Sequence, residues 1–93
     1  MVIGLLSLEL HLPGARSLKD KRQVVKSILD RTRSRFNVSA AEVESHDLHQ
    51  RAGLAFASVS RDSDYARGQM DTLLDTLRTH PAARVIDYQI EVF

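Results

Sequence analysis

The stretch ELHLPGARSLKDKR, residues 9–22, changes its periodicity half-way along. Up to Leu12 the pattern has period two: Leu6, Leu8, Leu10 and Leu12 fall on one side, and Ser7, Glu9 and His11 on the other. That is the pattern of a half-buried strand, and it predicts one from Val2 to Leu12. Pro13-Gly14 then supplies turn chemistry. Ser17 is placed to cap a helix, its hydroxyl accepting from a free backbone N–H. Asp20 stands at capping-box spacing, although the box prefers Glu or Gln there. Beyond it, Leu18, Val25, Ile28, Leu29, Thr32 and Phe36 recur at steps of three and four, which predicts an amphipathic helix to about residue 35.

Outward from this corner the alternation repeats. Asn37 breaks the helical pattern, and Val38–Glu44 reads as a second strand. His46-Asp47-Leu48-His49 is a connection, and Gln50–Ser60 a third strand rich in small residues. Asp62 or Ser63 caps a second helix whose stripe is Ala66, Met70, Leu73, Leu74 and Leu77. His80-Pro81 ends it, because a residue before proline is disfavoured in helical conformation. From Arg84 to Phe93, Ile86, Tyr88, Ile90 and Val92 alternate with Asp87, Gln89 and Glu91. The order β-α-β-β-α-β predicts a single ferredoxin-like α+β domain over residues 1–93. It is a two-layer sandwich with a four-stranded antiparallel sheet and both helices on one face.

In that arrangement the other sheet face is uncovered. Glu9, His11, Asp87, Gln89 and Glu91 are expected there. The third strand has two phases: either Leu54 and Phe56, or Ala55, Ala57 and Val59, face the open side. With Leu54 and Phe56 outward, the face is an exposed apolar patch of the kind that marks an interface. A homodimer through Glu9, His11, Leu54, Phe56 and Gln89 is the corresponding expectation.

Charge is unevenly spread. Residues 16–35 hold eight basic side chains and two acidic ones, against five basic and ten acidic in the rest of the chain. Lys19, Arg22, Lys26 and Arg33 fall near one helical stripe, with Arg16 just ahead and Lys21 beside. Such a stripe can follow a phosphate backbone, each contact releasing counterions. With three Phe, two Tyr and no Trp, base stacking has little to work with, so backbone or shape recognition of RNA is expected. The helix start at Ser17 and Lys19 is a second, weaker candidate, as an anion site built of free N–H groups and nearby cations; the spacing is not that of a P-loop.

Other constellations ask for less. Glu9 and His11 point the same way, but an uncovered sheet offers no pocket for acid–base chemistry. Glu42, Glu44 and His46 alternate so as to face one side together, within reach of a divalent metal, yet carboxylate and imidazole ligands are unspecific. No metal, cofactor or enzymatic activity is called for. The absence of cysteine excludes disulfides and thiolate zinc sites. The apolar N-terminus lacks the basic region and cleavage site of a signal peptide, and no apolar run is long enough to span a membrane, so a cytoplasmic protein is expected.

The pieces LELHLPGARSLKDKR, FNVSAAEVESHDLHQRA and VIDYQIEVF, at their spacing in this chain, resemble the bacterial YlxP-like family of small conserved proteins. The match covers essentially the whole chain. The resemblance implies a ferredoxin-like fold. It also implies an RNA or ribosome setting, since family genes often neighbour those of transcription-elongation, translation-initiation and ribosome-maturation factors. It supplies no catalytic residues. Relatives tend to carry an aromatic residue where this chain has His49, which implies that His49 is not a required ligand or base.

Overall fold

A computed structural model describes all 93 residues. The elements run β1 (Val2–His11), α1 (Leu18–Arg35), β2 (Ser39–Glu44), β3 (Arg51–Ser60), α2 (Ser63–Arg78) and β4 (Arg84–Val92). The sheet is fully antiparallel in the order β2-β3-β1-β4. This is the expected βαββαβ two-layer arrangement.

The central pair sets the burial of everything else. β1 meets β3 in register, with Leu6 opposite Phe56, Leu8 opposite Leu54 and Leu10 opposite Ala52. Residues directly opposite one another point to the same face. The leucines face the helices, so Leu54 and Phe56 do as well, and both are fully buried. The expectation that they lie on the open face is therefore corrected: the phase of β3 is dictated by its partner's leucines. The open face receives Gly53, Ala55, Ala57 and Val59 instead.

The helices complete the core over this surface. α1 contributes Val25, Ile28 and Leu29, and α2 contributes Met70, Leu73, Leu74 and Leu77. α1 packs over β2 and β3, α2 over β1 and β4. Gly4 lets α2 come close, because a Cβ there would already touch Ala66 and Met70 at 3.4 Å.

Two irregularities change the alternation read from sequence. In β4 the register shifts opposite Glu9 and Leu10, so that Leu10 pairs with Val85 and Glu9 with Asp87. Ile86 is the extra residue; it is exposed, and Val85 packs against the core in its place. In β2 the shift falls between Glu42 and Glu44, leaving Val43 unpaired. Glu42 then faces α1 while Glu44, opposite Gly53, lies on the open side. The expected grouping of Glu42, Glu44 and His46 on one side does not form. Gly53 is what allows the close approach: a Cβ there would stand 2.8 Å from the Glu44 Cβ.

The buried phase of β3 has a direct test in denaturant unfolding. Phe56→Ala is expected to cost about 3–5 kcal/mol, as for a buried aromatic, and Val59→Ala less than about 0.5 kcal/mol. The reverse ranking would put Phe56 on the open face.

Candidate nucleic-acid interface

The start of α1 is closed by its own residues. Ser17 Oγ accepts from the Asp20 N–H at 3.1 Å, and Asp20 Oδ2 accepts from the Arg16 N–H at 3.0 Å. The donors that an anion at Ser17 and Lys19 would use are partly taken, and a carboxylate stands among them. The geometry there is that of a capped helix.

From this start the basic side chains divide into three groups. The first is Lys21 alone. It sits on the buried side of α1, 1% exposed, with Nζ 2.9 Å from Glu42 Oε2, 2.8 Å from the Ser45 carbonyl oxygen and 3.2 Å from that of His46. All three ammonium protons have acceptors. Lys21 is thus removed from the expected RNA-facing set. It ties the β2–β3 connection to α1, and Ser45, at the bend, takes a left-handed conformation with φ 64°. The sequence pattern put Lys21 beside the stripe and gave no sign that an acceptor cluster from a distant loop would cover it.

The second group is the stripe itself. Lys19, Arg22, Lys26 and Arg33 are all exposed. At 100° per residue they fall within about 60° of one another, and at 1.5 Å per residue they span about 21 Å. Arg16 extends the row at its start. Lys26 Nζ lies 2.7 Å from Asp30 Oδ2, and Arg33 Nη1 3.5 Å from Asp30 Oδ1. The hydrogen bond from Lys26, with the positive charges of Lys26 and Arg33, holds the Asp30 carboxyl below its ordinary value of 3.8. Arg33 also donates to the Ala40 carbonyl oxygen at 2.6 Å, which leans this end of the stripe against the β2 edge. Lys19, Arg22 and Arg16 take part in none of the four ion pairs of the chain.

Arg31 and Arg35 form the third group, on the opposite flank of α1. With His80 they stand around a cavity of about 90 Å³ between the helices, whose apolar side is Ile28, Phe36 and Leu77. The periodicity carried a signal here, since positions 31 and 35 flank the buried Ile28 and Thr32 on the side away from the stripe. The sequence reading assigned no role to Arg31, Arg35 or His80. Burial, and secondarily the charge of Arg31, lowers the His80 imidazole from its ordinary 6.5.

The open sheet face gathers the remaining expected residues differently. Glu9 accepts from Ser45 Oγ at 3.0 Å and from Arg51 Nε at 3.2 Å. Its carboxylate is thereby a tie from β1 to β3 and to the β2–β3 connection. Gln89 is exposed and reaches Glu91 at 3.4 Å. His46 and His49 are exposed, His46 Nε2 lying 3.2 Å from the Glu42 carbonyl oxygen. No three His, Asp or Glu side chains come together in a way that would hold a metal ion. No helix is long and apolar enough to cross a membrane.

Residues 3–90 match the model of a family described as a protein of unknown function, DUF503. The chain belongs to this family. It is also 34% identical over 80 residues to the uncharacterized protein YlxP of Bacillus subtilis (strain 168), covering 86% of this chain and 87% of that one. The likeness agrees with the resemblance read from the sequence motifs, and family membership extends over all six elements of the fold.

The structural role of Lys21 is separable from the stripe. Lys21→Met leaves Glu42 facing the helix without its partner, and is expected to cost about 3 kcal/mol. Arg22→Gln, on the exposed side, is expected to change stability by less than about 0.5 kcal/mol. Urea unfolding of the two variants measures both.

Proposed function

We propose that the protein is a non-enzymatic accessory factor of the cytoplasm that binds RNA or the ribosome through the exposed stripe of α1. The observation that carries this reading is the row Lys19, Arg22, Lys26 and Arg33, preceded by Arg16. It is about 21 Å long, about six rises of a nucleic-acid strand. Only Asp30 lies within it to compensate. The RNA or ribosome setting implied by the family resemblance supports the same reading. Contact through such a row is to phosphates, so it gives affinity and placement rather than sequence selection.

The reading makes the interaction salt-dependent. With four single-strand phosphate contacts, log K against log salt has a slope of about −3. Binding of purified ribosomes, and of total ribosomal RNA, is measured across a salt titration for the wild-type protein and for Arg22→Glu/Lys26→Glu. The double reversal is expected to abolish binding while leaving the melting temperature in place. Unchanged binding by the folded double variant contradicts the reading.

A second observation favours self-association through the open face. Ile3, Leu5, Ala55, Ala57, Val59 and Phe93 line one end of it, with Val59 72% and Phe93 64% exposed. Contiguous apolar residues without cover mark an interface, and a second copy of the same face would cover them as a homodimer. The acidic end, with Glu9, Glu44 and Asp87, would form the rim. Sedimentation equilibrium is expected to give a dimer that Val59→Asp converts to a monomer. A wild-type monomer at high protein concentration contradicts this.

A further inference from the structure

We propose that the cavity between α1 and α2 binds the phosphate-monoester head of a small molecule, held by Arg31 and Arg35 with His80 as a third donor. The site lies on the opposite flank of α1 from the stripe and shares none of its residues.

The first support is the composition of the lining. Arg31 and Arg35 point their flank of α1 at the cavity, Thr76, Thr79 and His80 face them from α2 and the residues that follow it, and no carboxylate is present. Neither arginine belongs to an ion pair, since those of the chain use Lys21, Lys26, Arg33 and Arg51. Both stand at exposed positions beside the apolar wall, so an entering anion meets guanidiniums that no carboxylate has already neutralised. Guanidinium forks fit phosphate oxygens with paired, charge-assisted hydrogen bonds.

The second support is the state of His80. Its Nδ1 accepts from the Ala82 N–H at 3.1 Å, so the neutral ring carries its proton on Nε2 and is a donor there. Arg31 and Arg35 line the cavity on one side of it, and Arg78 and Arg84 line the depression behind, with no carboxylate lining either. Burial and Arg31 keep the imidazole below 6.5. An anion between Arg31 and His80 reverses the electrostatic part of that balance and favours the charged ring.

The cavity, of about 90 Å³, takes a tetrahedral oxyanion against Arg31, Arg35 and His80. The rest of the ligand lies along the adjoining depression, which shares Arg35 and Phe36 with the cavity and carries Asn37, Tyr65 and Gln69. A terminal phosphate can enter such a site head-first, whereas an internal phosphodiester has to bring in two ester arms.

The test follows the His80 imidazole by NMR across pH, with inorganic phosphate, adenosine 5′-monophosphate and adenosine as probes. Chloride at matched ionic strength is the control. Phosphate and the monophosphate are expected to bind saturably and raise the His80 pKa, and adenosine and chloride to do neither. Arg31→Gln and Arg35→Gln, both at exposed positions, are expected to weaken binding about tenfold or more each, as for loss of a charge-assisted hydrogen bond, with melting temperatures unchanged. Three results overturn the proposal: no saturable shift, an equal shift with chloride, or an undiminished shift in both variants. An equal response to an RNA oligonucleotide lacking a 5′-phosphate also overturns it, because the site would then be reading internal phosphodiesters.

Discussion

β1 and β3 pair along their whole length, and the phase of that pairing decides which residues of the other elements are buried. Leu6, Leu8 and Leu10 opposite Phe56, Leu54 and Ala52 make a continuous apolar surface on one side of the sheet. Each large side chain fully buried there stabilises the fold by about 1.5–3 kcal/mol. A slip of one residue would turn the whole of β3 over, exposing Leu54 and Phe56 and pressing Arg51 and Val59 against the helices. With the phase set, β4 and β2 add at the two edges, α2 covers β1 and β4, and α1 is left over β2 and β3. That placement gives α1 two exposed flanks, one toward the β2 edge and one toward α2.

The division of charge on α1 follows from this geometry. A helix lying over a sheet must bury one side, and Lys21 falls on it. The ammonium group is tolerated because Glu42, Ser45 and His46 supply an acceptor for each of its protons. Glu42 faces α1 in regular alternation opposite Leu54, and the bulge at Val43 turns Glu44 away to the open side. The remaining cations stay in solvent, where a partner with phosphates can meet them. One stretch of basic sequence thus contains a structural lysine, a surface stripe, and an arginine pair facing the second helix.

Much of the fold was legible in the residues. The leucine alternation of β1, the capping pair Ser17 and Asp20, and the helical stripes of α1 and α2 each follow from local periodicity or local hydrogen bonding, and such features do not depend on distant contacts. Features that depend on a partner strand were not legible. The phase of β3 could not be read from Arg51–Ser60 because small residues occupy one side and the pattern is apolar on both. The bulges at Val43 and Ile86 leave no mark in an alternation that continues through them. Burial of Lys21 depends on a loop more than twenty residues away. The exposure of Lys19, Arg22, Lys26 and Arg33 was legible, since helical spacing alone separates them from Val25 and Leu29. The cavity at Arg31, Arg35 and His80 was not, because it requires two helices to be brought side by side.

The central claim is that the exposed stripe of α1 holds the protein to RNA or the ribosome by charge. The most direct test is sucrose-gradient fractionation of a lysate from the source cells at low and high salt, detecting the protein along the gradient. The account predicts co-migration with a ribosomal subunit or ribosomes at low salt, and release to the top of the gradient at high salt. A protein that stays at the top under both conditions, or that co-migrates undiminished at high salt, contradicts it.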